Sequence, residues 1–174
     1  VFVTYDGGET DQDLGNYERF LDIEVSKINS ITTGQVYNTV IQKERNLEYD
    51  GKCVEVIPHI PQEVQHRIQE AAAKSKADFV MVEIGGTVGD YQNVLFLEAL
   101  REMKREMNNM IFVHVAYLPV PRNIGEMKTK PAQHSVRALN SIGIMPDFIV
   151  ARAEKMIDEV RRDKIALFCN VKKE

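Results

Sequence analysis

Short runs of β-branched and aromatic residues alternate along this chain with longer, more polar segments in which apolar residues recur every three or four positions. Such runs are typical of strands, and such periodicity is typical of amphipathic helices. This alternation predicts an α/β fold with a mostly parallel sheet flanked by helices. The predicted strands are residues 1–4, 52–57, 78–84, 110–118, 148–151 and 164–169, and the predicted helices are residues 12–29, 33–47, 61–76, 91–108, 131–142 and 153–163.

Two of the strand-like runs, DFVMVEI at 78–84 and MIFVHVAYL at 110–118, lack the polar alternation of a strand with one solvent-exposed face. We therefore expect both to be central strands that are covered on both sides. Ligands of open α/β sheets bind at the carboxyl ends of the strands, so the residues that follow these runs are the first candidates for a functional site.

The length of 174 residues suits a single domain, residues 1–174, with no disulfide or structural metal. Lys and Arg number 22 against 26 Asp and Glu, so we expect no binding to nucleic acid or to a membrane surface. The two cysteines, Cys53 and Cys169, suit a reduced, cytoplasmic setting. Because the chain begins at Val1 within a strand-like run, we expect further sequence before it.

Glu83 stands near the end of the run 78–84 and is followed by Ile-Gly-Gly. A carboxylate at this position resembles the acidic strand end that holds magnesium in phosphate-loop NTPases. Magnesium takes hard oxygen ligands and needs only one or two protein carboxylates. The alternative is a structural carboxylate that pairs with a neighbouring cation or caps the next helix. Spacing alone leaves both open.

Four acidic residues crowd around a Gly-Gly turn after the first run: Asp6, Glu9, Asp11 and Asp13. Carboxylates that lie close together raise one another's pKa unless a cation offsets them, which favours a metal or a basic partner nearby. The alternative is helix capping, because Thr10 or Asp11 can act as an N-cap and acids in a first turn suit the helix dipole.

The glycine-rich segment IGGTVGD at 84–90 offers backbone amides that can approach a phosphate or a ribose. It is not a Walker A motif, since neither GxxxxGKS nor GxxxxGKT occurs in the chain. The structural alternative is a tight strand-to-helix turn with Asp90 as the N-cap.

Lys128 and Lys130 precede Pro131 in GEMKTKPAQHS, and proline suits the first position of a helix. Two cations at a helix N-terminus form a potential anion site. Alternate residues of an extended segment point in opposite directions, so both lysines reach one ligand only if the loop curls or two subunits share the site. The alternative is a solvated surface pair, and it applies equally to Lys164 at the start of KIALFC.

Six motifs together resemble the amidoligase domain of the CTP synthase family: DGGETDQDLGNYERF, TTGQVY, VIPHIP, VEIGGTVGD, EMKTKPAQHS and KIALFCNV. They occur in the family's order and cover essentially the whole chain. The resemblance implies a fold related to phosphate-loop NTPases and to dethiobiotin synthetase. It also implies an ATP- and Mg²⁺-dependent reaction, in which ATP phosphorylates O4 of UTP and ammonia displaces the phosphate to give CTP.

The resemblance also implies roles for individual residues. Asp13 and Glu83 match magnesium carboxylates, and Asp13 also matches a contact to ATP. Lys128 and Lys130 match catalytic lysines of the pyrimidine-nucleotide segment KTKPTQ. The other residues that match UTP or CTP contacts are Thr129, Pro131, Ala132 (in place of threonine), Gln133 and Lys164. The residues that match contacts to inhibitory CTP are Asp90, Tyr91 and Gln92.

Several departures from the family pattern shape our expectations. The family's phosphate loop would precede Val1 and its glutaminase domain would follow Glu174, so we expect negligible catalysis by this chain alone, with external ammonia as its only nitrogen source. Gln92 replaces a glutamate of the family, which removes a charge from the CTP segment. By resemblance we expect a homotetramer with the pyrimidine site shared between subunits.

Two alternatives stay open: a UTP- or CTP-binding or assembly module without turnover, and another phosphate-loop ligase related to dethiobiotin synthetase.

Overall fold

The computed structural model describes residues 1–173 and consists of two compact units, Val1–Glu83 and Ile84–Glu174. The described residues contain six α-helices and two small two-stranded sheets, one antiparallel and one parallel. The predicted α/β class is therefore confirmed, whereas a P-loop NTPase-like arrangement and a single domain over residues 1–174 stay predictions. No helix within residues 1–173 combines the length and the apolar character needed to cross a membrane.

The first unit is a short hairpin followed by helices. The hairpin pairs β1 (Phe2–Val3) with β2 (Glu9–Thr10) in antiparallel orientation, so the first predicted strand is present but does not join a parallel sheet. The elements that follow are α1 (Gln12–Leu21), a 3₁₀ helix (Lys27–Asn29), α2 (Thr33–Arg45) and α3 (Val56–Ser75).

Local contacts determine where the first helices start and stop. The Asp11 carboxylate accepts a hydrogen bond from the Gln12 amide at 2.6 Å and begins α1. The Thr32 hydroxyl begins α2 by accepting a bond from the Gln35 amide at 3.3 Å. α1 ends well before the predicted residue 29 because Asp22 adopts the left-handed conformation, with φ of 51°, which stops a helix.

Helices α2 and α3 pack through apolar residues such as Val36 and Val64, with one carboxylate buried among them. The Glu63 carboxylate accepts hydrogen bonds from Lys43 Nζ and Arg67 Nε, each at 2.8 Å. Burial alone raises the pKa of Glu63, but the bonds from both cations outweigh it and hold the pKa below its ordinary value of 4.5. Glu63 is therefore an ionised group inside the helix interface.

The second unit is built around one parallel strand pair. β3 (Val113–Tyr117) pairs with β4 (Phe148–Arg152), and Val113 lies opposite Phe148. Parallel strands need a crossover connection, and α5 (Lys130–Ser141) provides it while packing against β3. The remaining helices are α4 (Val94–Glu106) and α6 (Glu159–Cys169).

Two apolar clusters form the core of the second unit. The smaller cluster contains Leu97, Leu139 and Ile144. The larger cluster joins β3 to α5 and α6, and its buried members are Ala116, Leu118, Met127, Ala132, Val136, Ile165 and Cys169. Burial raises the pKa of the Cys169 thiol, whereas Cys53 in the first unit is exposed.

The run 78–84 is not a strand, so the prediction of a central, doubly covered strand at this position is wrong. Phe79 and Met81 are 93% and 95% exposed, and the run pairs with no strand of the described residues. A β-branched, apolar composition stabilises a strand only where packing and a neighbouring strand support it. Residues 78–83 are exposed, Ile84 alone in this run packs against a core cluster, and no described strand pairs with the run, which is irregular.

The run 110–118 contains β3, but the prediction that it is covered on both faces is wrong. His114, Ala116 and Leu118 are buried, whereas Val113 and Tyr117 are more than half exposed. Side chains of a strand alternate between its two faces, so β3 has one covered and one open face. Apolar residues on the open face conceal this alternation in the sequence.

The predicted strand 52–57 is also absent, because residues 52–55 pair with no described strand and α3 begins at Val56. The residue before a proline is pushed toward extended geometry. Ile57, which precedes Pro58, accordingly has φ of −112° and ψ of 125° inside the first turn of α3. Glu55 is also extended, with φ of −118° and ψ of 162°, so the extended conformation is present in single residues but does not form a strand.

The predicted strand 164–169 belongs to α6. Ile165 and Cys169 are buried one helical turn apart, so this run packs with a helical period. Short apolar runs do not separate a helix from a strand. The Asp158 carboxylate, which accepts a hydrogen bond from the Arg161 amide at 2.9 Å, begins the helix that continues through the run.

We expect Glu63→Gln to lower the free energy of unfolding at pH 7 by about 1.5 to 3 kcal/mol, because a carboxylate with two charge-assisted hydrogen bonds becomes neutral. The folded-state pKa of Glu63 lies below its ordinary value, so its contribution is present above about pH 4.5 and is lost as the pH falls through the folded pKa. The difference between the two proteins should shrink over that range. Urea denaturation at several pH values measures it.

Glu44→Gln is the matched control for this prediction. Glu44 lies on the same helix as Lys43, is exposed, and has no side-chain hydrogen bond to another residue of the described range 1–173. Its substitution should change the free energy of unfolding by less than about 0.5 kcal/mol. Equal losses for both substitutions at pH 7 would contradict the importance of the buried carboxylate.

Candidate functional site

The lysine segment, residues 126–133, follows β3 and leads into α5. The Lys128 amide donates a hydrogen bond to the Pro119 carbonyl at 2.9 Å, so the segment is tied to the chain just beyond the carboxyl end of β3. Lys130 is the first residue of α5 and is exposed. The structure thus brings both predicted lysines to the N-terminus of α5, at the end of a strand where ligands of α/β folds bind.

The buried members of the lysine segment are Met127, Thr129, Ala132 and Gln133. The Gln133 side-chain amide donates a hydrogen bond to the Thr129 hydroxyl at 3.1 Å, and Thr129 is the N-cap of α5. Pro131 is the second residue of α5, one position later than predicted. The bond between Thr129 and Gln133 thus stabilises the start of the helix, and Lys128 and Lys130 are the cations of the segment that can meet an anionic ligand.

Glu126 is the counter-ion of Lys128. Its Oε2 accepts a hydrogen bond from Lys128 Nζ at 2.9 Å, and its Oε1 accepts one from Arg161 Nη2 at 3.0 Å. The bond from Lys128 is the main reason that the pKa of Glu126 lies below its ordinary value of 4.5, and Arg161 adds to the effect. Neither Glu126 nor Arg161 is among the predicted site residues: Glu126 is visible as an acid two positions before Lys128, but no local pattern marks Arg161.

Lys164 lies in α6, so its predicted position at the start of a strand is wrong. It is exposed and follows Arg161 by three positions, which places the two side chains on the same face of the helix. Arg161 contacts the lysine segment from that face. The role of Lys164 in UTP or CTP binding stays a prediction.

The glycine-rich segment IGGTVGD forms a tight turn before α4. The Asp90 carboxylate accepts a hydrogen bond from the Thr87 amide at 2.9 Å. Gly86 and Gly89 have φ of 88° and 98°, a conformation that favours glycine. The N-cap of α4 is Asn93, so the capping alternative for Asp90 is wrong; its carboxylate closes the preceding turn instead.

Tyr91 and Gln92 lie on the outside of this turn, and Tyr91 is fully exposed. The next residue, Asn93, is buried and donates a hydrogen bond from Nδ2 to the Thr87 carbonyl at 2.7 Å. Its Oδ1 is buried without a hydrogen-bond partner among the described residues. The turn therefore presents Tyr91 and Gln92 outward, and their contact to CTP, like that of Asp90, stays a prediction.

Asp13 and Glu83, the predicted magnesium carboxylates, both belong to the first unit and are exposed. Asp13 lies in the first turn of α1. Within residues 1–173, no group of three or more His, Cys, Asp and Glu side chains has the arrangement of a metal site. Two carboxylates nevertheless suit Mg²⁺, which usually keeps several waters and binds nucleotide phosphates. The metal assignment stays a prediction.

Three of the four clustered acids near the first strand take part in local structure. The Asp6 carboxylate accepts hydrogen bonds from the Thr4 hydroxyl at 2.5 Å and from the Lys27 amide at 3.0 Å. The bond from Thr4 is the main reason that the pKa of Asp6 lies below its ordinary value. Glu9 belongs to β2, and Asp11 is the N-cap of α1. The capping alternative is therefore confirmed for Asp11.

A buried histidine joins β3 to α5. His114 is 8% exposed, and its Nε2 lies 2.8 Å from the Ser135 hydroxyl, within hydrogen-bond distance. Burial lowers the pKa of His114 from its ordinary value of 6.5. His114 is thus a core residue, and no sequence signal indicates its bond to Ser135, which lies 21 residues later in the chain.

Comparison with known proteins gives a consistent result over the whole chain. The family described as CTP synthase N-terminus matches residues 1–174. The chain is 54% identical over 175 residues to a CTP synthase of Dehalococcoides mccartyi and 53% identical over 176 residues to one of Methanococcus maripaludis, with 99% and 100% of the chain covered. A CTP synthase of Shouchella clausii is 51% identical over 176 residues. The chain spans about a third of the length of these curated relatives, 32% to 33%.

Because burial depresses the pKa of His114, the imidazole of His114 binds a proton more readily in the unfolded chain than in the folded chain. The contribution of neutral, buried His114 to the free energy of unfolding is complete above about pH 6.5, and it is lost as the pH falls toward the folded pKa of His114. We expect His114→Gln to flatten the decline of the free energy of unfolding between about pH 7 and pH 5, measured by urea denaturation. His66→Gln, at an exposed histidine, should keep the original slope. Identical slopes for both variants would refute the role of His114.

Proposed function

The chain belongs to the CTP synthase N-terminal family, and we propose that it forms the amination domain of a CTP synthase, which converts UTP to CTP in pyrimidine nucleotide biosynthesis. In the proposed reaction the γ-phosphoryl group of ATP is transferred to O4 of the uracil ring. Ammonia then attacks C4, and phosphate leaves with O4, so that an amino group replaces the carbonyl oxygen. Ammonia would come from glutamine hydrolysis in a separate glutaminase domain.

The observation that supports this proposal most directly is the lysine segment at the start of α5. Lys128 and Lys130 lie at a helix N-terminus, which itself favours anions, and the buried bond between Thr129 and Gln133 holds that terminus in place. Phosphoryl transfer depends mainly on positioning and on neutralising charge. We assign both lysines to the phosphates of UTP and to the charge that develops during phosphorylation.

ATP and Mg²⁺ are assigned on the family resemblance, and the chemistry of the available donors is compatible with the ion. Asp13 and Glu83 would hold the ion, and Asp13 would also contact ATP. When bound, Mg²⁺ offsets the negative charge of the phosphate oxygens. Both carboxylates are exposed and make no side-chain hydrogen bond or ion pair to another residue of the described range, so they are available as ligands.

Further contacts and the assembly are proposed on the family resemblance. Lys164 would share the binding of UTP and CTP with the lysine segment, and Asp90, Tyr91 and Gln92 would contact inhibitory CTP. The exposure of Tyr91 and Gln92 on the turn before α4 is compatible with such a contact. We propose a cytoplasmic homotetramer in which subunits share the pyrimidine site.

A second function, UTP or CTP binding without turnover, would rest on the lysine segment alone. Such a module would bind nucleotide through Lys128 and Lys130 but would not transfer phosphate. Turnover separates it from the amination domain.

We expect the chain to bind UTP and Lys128→Ala to weaken this binding by about 1.5 to 3 kcal/mol, which is the usual loss for a charge-assisted contact. Isothermal titration calorimetry with UTP measures both affinities. Lys155→Ala is the matched control, because Lys155 is an exposed lysine of the same unit with no predicted role. Equal affinities of Lys128→Ala and Lys155→Ala would place Lys128 among the solvated surface lysines.

Turnover is testable in a chimera in which this chain replaces the matching third of the Dehalococcoides mccartyi CTP synthase. We expect formation of CTP from UTP, ATP, Mg²⁺ and ammonia, and loss of that activity in Glu83→Ala with the fold intact. Glu154→Ala, at an exposed acid without an assigned role, should stay active. A folded, UTP-binding chimera without turnover would favour the non-catalytic module, and full activity of Glu83→Ala would refute the metal assignment.

A further inference from the structure

Arg161 connects the start of α6 to the lysine segment. Its Nε donates a hydrogen bond to the Met127 carbonyl at 2.9 Å, and its Nη2 donates one to the Glu126 carboxylate at 3.0 Å. Both acceptors belong to the two residues immediately before Lys128. The contacts span 34 and 35 residues of sequence, so they are tertiary contacts between separate elements.

Arg161 is itself held in place. Its Nη1 pairs with the Asp158 carboxylate. Asp158 is the N-cap of α6, and its carboxylate also accepts a hydrogen bond from the Arg161 amide at 2.9 Å. The Arg161 side chain is only 20% exposed. A planar guanidinium with several fixed acceptors has a defined direction, which a flexible ammonium lacks. The cap of α6 therefore determines where the guanidinium meets the lysine segment.

We propose that Arg161 is a positioning residue for Lys128 in nucleotide binding, an inference that rests on the proposed function of Lys128. The peptide group between Met127 and Lys128 is bonded on both sides: the Met127 carbonyl accepts a hydrogen bond from Arg161, and the Lys128 amide donates one to the Pro119 carbonyl at 2.9 Å. The Met127 side chain is buried in the core. Held at both ends, this peptide group gives the Lys128 side chain a fixed origin.

Glu126 explains why the arrangement is compatible with a ligand. Its carboxylate bridges Lys128 and Arg161, so a phosphate that binds Lys128 competes with it for the ammonium. Arg161 keeps a hydrogen bond to the displaced carboxylate and limits the cost of the exchange. Arg161 thus serves Lys128 both by holding the backbone and by retaining the counter-ion.

The test measures UTP affinity of the whole chain by isothermal titration calorimetry in three variants. We expect Arg161→Gln to weaken binding by on the order of tenfold, the size of one lost charge-assisted contact. Arg161→Lys keeps the charge but cannot reproduce the planar fork, so it should stay several-fold weaker than the unaltered chain. Arg162→Gln removes the same charge from the neighbouring residue, which pairs only loosely with Glu159 at 3.7 Å, and should bind normally.

Amide hydrogen exchange without ligand supplies a second readout. Arg161→Gln should speed the exchange of the Lys128 amide, whereas Arg162→Gln should leave it unchanged, and the amides of β3 should keep their rates in both variants. Unchanged exchange at Lys128, or full UTP affinity of Arg161→Gln or Arg161→Lys, would overturn the proposal. If the unaltered chain bound no UTP, the proposed function would fail, and the exchange rates alone would decide whether Arg161 orders Lys128.

Discussion

Parallel pairing of β3 with β4 is the constraint on which the candidate site depends. Two parallel strands cannot be joined by a tight turn, so the chain that leaves β3 must travel back along the sheet before β4 can begin. α5 makes that return, and the lysine segment is the chain that reverses direction. A hydrogen bond from the Leu118 amide to the Arg152 carbonyl at 2.8 Å extends the pairing beyond Tyr117. The location of both lysines is thus a consequence of strand topology.

Both units place one carboxylate between a lysine and an arginine, but the surroundings give the two clusters different properties. Glu63 is 5% exposed and its bonds close the interface of two helices. Glu126 is 53% exposed and its partners, Lys128 and Arg161, belong to a segment and a helix at the surface. Removing a buried carboxylate from its cations is costly, whereas an exposed one exchanges partners at little cost. The first cluster therefore maintains structure, and the second is suited to exchange with an anionic ligand.

Sequence patterns predict those features of this protein that depend on neighbours in the chain. The apolar periodicity of α2 and α5, the cap at Asp11 and the cluster of lysines before Pro131 are all local, and the structure contains them. The pattern fails where the outcome depends on a partner far away in sequence. The run 78–84 has the composition of a central strand but no described partner strand, and the contacts of Arg161 with Glu126 join residues that no local motif relates.

The different surroundings of the two cysteines have a practical consequence. Thiol reagents attack the thiolate of an accessible cysteine. Cys169 is 1% exposed and its pKa is raised by burial, whereas Cys53 is exposed on the loop before α3. A maleimide dye under native conditions therefore modifies the first unit selectively, without any engineered cysteine. Slower labelling of Cys169 then reports the opening of the core of the second unit.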